Sequence, residues 1–258
     1  MSASDQIRLV VRGDDFGMCH AVNTGIRRAF TEGIVTTVST MAPCPWFGEA
    51  VQIAREIGIP LGAHQTLTCE WDYFRWRPIT DGPSLVGDDG TFRPDCEVAQ
   101  EHVKHDEVVR ELIAQVDRFR AAGLSLDYLD SHMMFTMPAA HAEVSQRTGV
   151  PYLYSDEIRR RGLDTRSELS PQDAAGKKEW LIGYLRELTP GAHMLVCHPG
   201  EESTELESLT HPSSVPWRWA ADYRYSDLEV LTDPEIADLI SQLGIRLCSL
   251  PEALRDGA

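Results

Sequence analysis

Aspartate and histidine side chains stand at the ends of four separate apolar segments of this chain. The segment at 7–12 runs into an Asp-Asp pair, and the segments at 61–67, 126–131 and 193–197 each contain or precede a histidine. In a parallel β/α barrel the carboxyl ends of the strands meet at one mouth. The residues that we expect to share this mouth are Asp14, Asp15, His64, His132 and His198.

This set of side chains suits a catalytic divalent metal ion. Two imidazoles and one carboxylate form a standard three-ligand site with room for water, and the ion lowers the pKa of that water toward ~7. A second carboxylate beside the ion can accept the proton, and His198 can donate one to a leaving group. The pattern predicts metal-assisted hydrolysis of an amide or ester. Taken singly, an Asp-Asp pair is also typical of a solvated turn, and one buried histidine is more often a structural core group.

The elements that must position these residues alternate between strands and helices. Short apolar runs predict strands at 7–12, 35–41, 61–67, 126–131, 151–154, 193–197 and 245–249. Amphipathic stretches with capping signals predict helices at 21–31, 47–57, 97–122, 138–147, 170–188 and from 234 onward. The alternation, without a Gly-, Pro- or Ser-rich linker, predicts one α/β domain over residues 1–258, an incomplete parallel β/α barrel of about seven strands.

Two insertions, at 68–96 and 199–231, follow strands and therefore belong to the barrel face on which active sites form. Both are rich in aromatic and arginine residues, which suit the apolar faces and hydroxyl edges of sugars. The candidate substrate contacts are Trp71, Tyr73, Trp76 and Arg224, with a further aromatic run at 217–219. The alternative is that these rings pack the insertions against the barrel, because long loops need small cores of their own.

Composition and charge exclude several classes of partner. Lys plus Arg number 24 and Asp plus Glu number 40, so the net charge of −16 disfavours nucleic acid and anionic membranes. No apolar run reaches the length of a membrane span, and the first twelve residues do not resemble a signal peptide. We therefore expect a cytoplasmic protein whose six cysteines are reduced thiols. A homodimer is left open.

Several blocks, in order along nearly the whole chain, resemble the YdjC/ChbG family of carbohydrate deacetylases. They are Arg12–Gly17 (RGDDFG), Asn23–Ile26, Gly33–Met41, Leu61–Thr68 (LGAHQTLT), Asp130–His132, Cys197–Gly200 and Tyr223–Leu231. The resemblance implies a deformed barrel related to polysaccharide deacetylases, and removal of acetyl groups from N-acetylated sugars such as chitooligosaccharides.

Matching positions in these blocks imply a role for each candidate residue. Asp15, His64 and His132 become the metal ligands, Asp14 the base and His198 the acid. The chain departs from the family where Arg12-Gly13 precedes Asp-Asp, and where Met133 and the next two apolar residues follow His132. These departures leave the ligand assignment intact and make the wall beside His132 more apolar.

The identity of the ion and the reaction class each leave alternatives. Imidazole ligands favour zinc over magnesium, whereas the resemblance also allows magnesium. Besides an N-acetyl saccharide deacetylase, the alternatives are another single-metal amide or ester hydrolase on the same barrel, and a non-catalytic carbohydrate-binding barrel. Two adjacent aspartates argue against the last, because binding alone needs no spare base.

Overall fold

The computed structural model describes residues 6–209 and 221–255. Its strands, in chain order, are β1 Ile7–Phe16, β2 Thr37–Thr40, β3 Leu61–Gln65, β4 Tyr128–Ser131, β5 Leu163–Glu168, β6 Gly191–Cys197 and β7 Arg246–Leu247. They form one seven-stranded sheet in the order β4-β3-β2-β1-β6-β5, with β7 paired to β1. The pairings between these strands are parallel.

The helices lie between these strands. They are α1 His20–Thr31, α2 Phe47–Ile57, α3 Cys96–His102, α4 His105–Ala121, α5 Pro138–Thr148, α6 Asp156–Arg160, α7 Lys177–Glu187, α8 Thr204–Glu207, α9 Ala221–Leu231, α10 Pro234–Gln242 and α11 Leu250–Arg255. Short 3₁₀ turns cover His132–Met134 and Ala174–Gly176. Asp95 caps α3 and Asp233 caps α10, since each side chain accepts a backbone N–H of its helix.

The sheet forms a half-barrel with helices, which confirms the predicted fold class. The strand β1 runs through its centre, pairing with β2 on one side and with β6 on the other. Because the strands are parallel, the carboxyl ends of β1, β3, β4 and β6 point the same way. Two buried apolar clusters hold the sheet; the smaller contains Val10, Tyr128 and Met194 from three strands.

Three predicted elements differ from the observed ones. Residues 151–154 form only an isolated bridge between Leu129 and Tyr152, and the strand beyond it is β5 at 163–168, which the apolar pattern missed. The predicted long helix 97–122 is two helices, because Val103 has extended backbone angles. The predicted helix at 170–188 begins only at Lys177. The strand β5 escaped notice because it lines a polar cavity and carries Asp164 and Glu168.

Among residues 6–209 and 221–255, no helix combines the length and the apolar character needed to cross a membrane. All six cysteines lie in this part of the chain and are free thiols.

Candidate metal centre and active site

The ends of β1, β3 and β4 bring three predicted ligands to one point. Asp15 Oδ1 lies 3.6 Å from His64 Nε2 and 3.4 Å from His132 Nδ1. One ligand atom from each residue lies within 4.8 Å of the others, and all three residues are buried. The structure therefore assembles the predicted set Asp15, His64 and His132, although these residues are far apart in sequence.

The backbone at Asp15 is held in a left-handed conformation that residues other than glycine rarely adopt. Its φ is +68°, and its carbonyl accepts the N–H of Met18 in the turn that ends β1. A left-handed non-glycine residue costs free energy and persists where the surrounding structure requires it, which is often at functional sites. The two neighbouring carboxylates have different partners, since Asp14 pairs with Arg12 and Asp15 pairs with Arg224.

Each imidazole is oriented by a second carboxylate behind it. His64 Nδ1 lies 3.0 Å from Asp130 Oδ1, and His132 Nε2 lies 2.9 Å from Glu70 Oε2. These contacts turn His64 Nε2 and His132 Nδ1 toward Asp15. A carboxylate on the far side of a ligating imidazole is the usual partner at metal sites, because it fixes the ring and raises its basicity.

The hydrogen bonds of Asp15 test whether a cation fits between the three residues. Its Oδ2 accepts a bond of 2.6 Å from Arg224 Nη2, whereas its buried Oδ1 has no hydrogen-bond partner among the described residues. A buried carboxylate oxygen without a donor is costly. Since this oxygen faces two imidazole nitrogens, the donor set fits one divalent ion.

A second candidate ligand set, of Asp14, His64 and Asp130, is already neutralised by an arginine. Arg12 Nε and Nη2 each lie 2.7 Å from one oxygen of Asp14, and Arg12 Nη1 lies 2.9 Å from Asp130 Oδ2. A bidentate guanidinium supplies the charge that an ion would otherwise provide. The set around Asp15 is therefore the better metal site.

The pKa values around Asp15 reflect the same charges. Burial would raise the pKa of Asp15, but Arg224 and His132 hold it well below its ordinary value. Burial would lower the pKa of His132, but Glu70 and Asp15 raise it to about 10. The electrostatic potential at this point thus strongly favours a positive charge, which a divalent ion supplies in place of a proton.

His198 follows β6 and lies on the wall of the cavity that contains these residues. The turn after it packs against α1 so closely that a Cβ at Gly25 would lie 2.6 Å from Gly200 Cα. Burial lowers the pKa of His198 to about 4. Asp15 and Asp14 raise that pKa, but burial outweighs them, and the role of His198 as the acid stays a prediction.

Residues 8–242 match the family described as YdjC-like protein. The chain belongs to the YdjC-like family.

Relatives of this YdjC-like chain are similar along almost its whole length. A protein named carbohydrate deacetylase from Geobacillus stearothermophilus is 31% identical over 255 residues, covering 94% of this chain and 96% of its own. A protein named chitooligosaccharide deacetylase from Yersinia enterocolitica is 28% identical, covering 93% of this chain and 97% of its own.

Solved structures share the fold. A crystal structure of an Enterococcus faecalis protein, whose name refers to cellobiose-phosphate cleavage, has a TM-score of 0.78 at 24% identity and covers 96% of this chain and 98% of its own. The peptidoglycan deacetylase PdaC from Bacillus subtilis has a TM-score of 0.53 at 11% identity, covering 100% and 93%. These likenesses confirm the predicted fold, a deformed β/α barrel.

The cavity over the candidate metal centre of this YdjC-like protein has a volume of about 910 Å³. One wall comes from β5 and the segment before it, including Asp164 and Glu168, and another from Met133 and Met134. Arg224 also lines the cavity, while its main visible contact is the ion pair with Asp15. A polar wall opposite an apolar edge is suited to a ligand with both kinds of surface, such as a sugar.

The predicted aromatic contacts lie elsewhere. Trp71 and Trp76 are 1% and 2% exposed, Tyr73 is 63% exposed, and none of these rings is among the described residues that line the cavity. Trp76 Nε1 donates to the carbonyl of Thr68, and Trp71 lies beneath the Arg224 guanidinium at 5.6 Å. The structure does not support direct stacking of Trp71 or Trp76 on a sugar. It favours the alternative stated above, in which these rings pack the first insertion. The run 217–219 lies outside the described residues.

Sequence reasoning missed Glu70 and the ring partner role of Asp130. Asp130 lies in one of the sequence blocks that resemble the family, and Glu70 lies in the first insertion. The spacing of neither residue along the sequence identifies the histidine that it contacts. Only the approach of the first insertion to the end of β4 places Glu70 beside His132.

Proposed function

We propose that this protein removes the N-acetyl group of an acetylated saccharide, using one divalent ion held by Asp15, His64 and His132, with zinc favoured. One observation carries the proposal: among the described residues no donor reaches the buried Asp15 Oδ1, which faces two imidazole nitrogens, each backed by a carboxylate. Two imidazoles and a carboxylate favour zinc over magnesium. The relatives named carbohydrate deacetylase support the reaction class.

The reaction consumes one water and yields acetate and the free amine. A divalent ion supplies Lewis acidity toward the acetyl carbonyl and makes water easier to deprotonate. Asp14, which lies beside the ligand set with its Oδ2 3.9 Å from His64 Nε2, takes the proton of the attacking water. Arg12 fixes the orientation of this carboxylate. When the C–N bond breaks, the nitrogen takes a proton from His198, and the proton held by Asp14 replaces it.

Acetate release from a panel of N-acetylated mono- and oligosaccharides tests this function. The protein is stripped of metal and resupplied with single ions, and we expect acetate from at least one N-acetyl sugar with zinc. The His132→Ala variant serves as the matched negative control, because it lacks one ligand while the core is unaltered. If no sugar in the panel releases acetate with any ion, or if His132→Ala is as active as the wild type, the proposal is refuted.

A further inference from the structure

Two consecutive methionines on the cavity wall have a left-handed backbone. Met133 has a φ of +53° and Met134 a φ of +54°, and both residues line the cavity directly after the candidate ligand His132. A left-handed residue other than glycine costs free energy, and methionine lacks the short polar side chain that makes asparagine and aspartate tolerant of this conformation. The chain therefore keeps two strained residues in a row on the wall of its candidate active site.

Contacts on both sides of this turn hold it in place. The N–H of Phe135 donates to the carbonyl of His132 at 3.1 Å, and the Phe135 ring is buried. The thiol of Cys96 donates to the carbonyl of Met133 at 3.6 Å. A strained backbone persists where the surrounding structure over-determines it, and such strain is concentrated at ligand-binding and active sites. The turn thus keeps Met133 and Met134 on the cavity wall beside His132.

The side chain of Met134 is an exposed apolar group in a cavity most of whose lining residues are polar or charged. Met134 is 62% exposed, and among the described residues it is the one exposed large apolar residue that lines the cavity. Leu163 and Val196, which also line it, are buried, and Met133 and Tyr154 are half-buried. An exposed apolar side chain gains free energy when a ligand removes it from water.

The wall formed by β5 offers polar groups to the same ligand. Asp164, Thr165, Ser167 and Glu168 line the cavity on this side. A pyranose ring has hydroxyls around its edge and C–H groups on its faces, so it requires hydrogen-bonding groups together with one apolar surface. The tryptophans of the first insertion are buried and do not line the cavity. Met134 is therefore the described residue that is best placed to supply the apolar surface.

We propose that Met134 is a substrate-binding residue whose thioether side chain packs against the C–H face of a pyranose ring of the saccharide. The inference rests on the proposed function, and it names a residue that determines the affinity for the sugar rather than the rate of the chemical step. Methionine is flexible and polarisable, so it adapts to the irregular face of a saturated ring. Glycine would fit the left-handed backbone better, so what methionine adds at this position is its side chain.

Calorimetric titration with N,N′-diacetylchitobiose measures this contact without turnover. The parent protein for the titrations is zinc-loaded and carries Asp14→Asn, so that the saccharide is not consumed. We expect Met134→Ala and Met134→Gly to raise the Kd of the saccharide about 10-fold, because each removes most of the apolar surface that the ring covers. Met134→Leu keeps an apolar side chain of similar volume and should bind within about twofold of the parent.

The stability of Met134→Gly separates a substrate-binding role from a structural one. Glycine adopts a positive φ without a clash of a Cβ. This variant should therefore unfold at a higher urea concentration than the wild type, although it binds the saccharide more weakly. A merely structural role for the methionine would give the opposite pattern, with lower stability and unchanged affinity.

Steady-state kinetics with the same saccharide supply a third readout. In the otherwise wild-type protein, Met134→Ala should raise KM about 10-fold and leave kcat within about twofold. The reason is that a contact away from the reacting atoms contributes equally to the bound substrate and to the transition state. A fall in kcat with an unchanged KM would contradict the inference.

A matched control and the proposed function itself give distinguishable outcomes. Leu243→Ala removes another exposed apolar side chain, one that does not line the cavity, and it should leave Kd and KM unchanged. Unchanged saccharide affinity in Met134→Ala and Met134→Gly, or no binding of diacetylchitobiose to the parent, overturns the inference. Absence of acetate release from every sugar in the panel refutes the proposed function instead, while the dependence of saccharide binding on Met134 remains measurable.

Discussion

Replacing Glu70 by Gln should weaken metal binding without disturbing the fold. Glu70 lies in the first insertion and lines the cavity, and its Oε2 lies 2.9 Å from His132 Nε2. Glutamine keeps an oxygen at nearly the same place but removes the negative charge that makes the ring a better ligand. Outer partners of this kind are worth 10- to 100-fold in metal affinity, or about 1.4 to 2.7 kcal/mol.

The effect on stability follows from mass action. With zinc at about 100 times the wild-type Kd, binding stabilises the wild type by about 2.7 kcal/mol. A variant with 10- or 100-fold weaker binding would gain only about 1.4 or 0.4 kcal/mol. For a chain of this size, 1 kcal/mol corresponds to about 2–4 °C in Tm. The zinc-induced rise in Tm should therefore be smaller in Glu70→Gln by about 3–9 °C.

Calorimetric titration of metal-stripped protein with zinc, together with thermal melts, measures both quantities. Glu56→Gln is the matched control, because Glu56 forms an exposed ion pair with Arg27 away from the site. His132→Ala sets the scale for complete loss of a ligand. If the zinc Kd of Glu70→Gln is within twofold of the wild-type value while His132→Ala does not bind zinc, Glu70 does not strengthen His132 as a ligand. That result would refute the reasoning.

Three further outcomes are expected. Asp14→Asn should lower turnover by about 100-fold or more and leave the zinc affinity nearly unchanged. Asp15→Asn, by contrast, should no longer bind zinc. If both variants lose zinc binding equally, the two roles are misassigned. Removing the metal with a chelator should lower Tm by several degrees while the far-ultraviolet circular dichroism spectrum is retained, because the core stands without the ion; loss of that spectrum would contradict this. Burial lowers the pKa of His141 to about 4. Below about pH 6.5 this imidazole therefore becomes protonated in the unfolded chain while it stays neutral in the folded chain. The free energy of unfolding consequently falls as the pH drops from about 6.5 toward 4. Urea unfolding at pH 7 and pH 5 measures this decrease in the free energy of unfolding, which should be about 2 kcal/mol smaller in His141→Gln than in the wild type. If the decrease is the same in both proteins, the ring is not held neutral by the fold.

The sequence by itself determined the fold class and the group of side chains that meet at one end of the sheet. Buried parallel strands appear as short apolar runs, and chemically active residues at their ends must meet because all strands point the same way. Asp15, His64 and His132 could be placed together on this ground, as could His198 on the same cavity. The helix caps at Asp95 and Asp233 were equally readable, because a cap acts within three residues of itself.

Only the tertiary structure decided which groups stand behind the ligands and what charge they carry. Glu70 reaches His132 across 62 residues, and Ser170 reaches Asp227 across 57. No local periodicity encodes such a contact, because it depends on how an insertion or helix packs against a strand end. Burial, too, emerged only on folding: it lowered the pKa of His198 and placed the ring of Trp71 inside the protein. The cost of desolvating a group depends on everything packed around it, and neighbours in space are not neighbours in sequence.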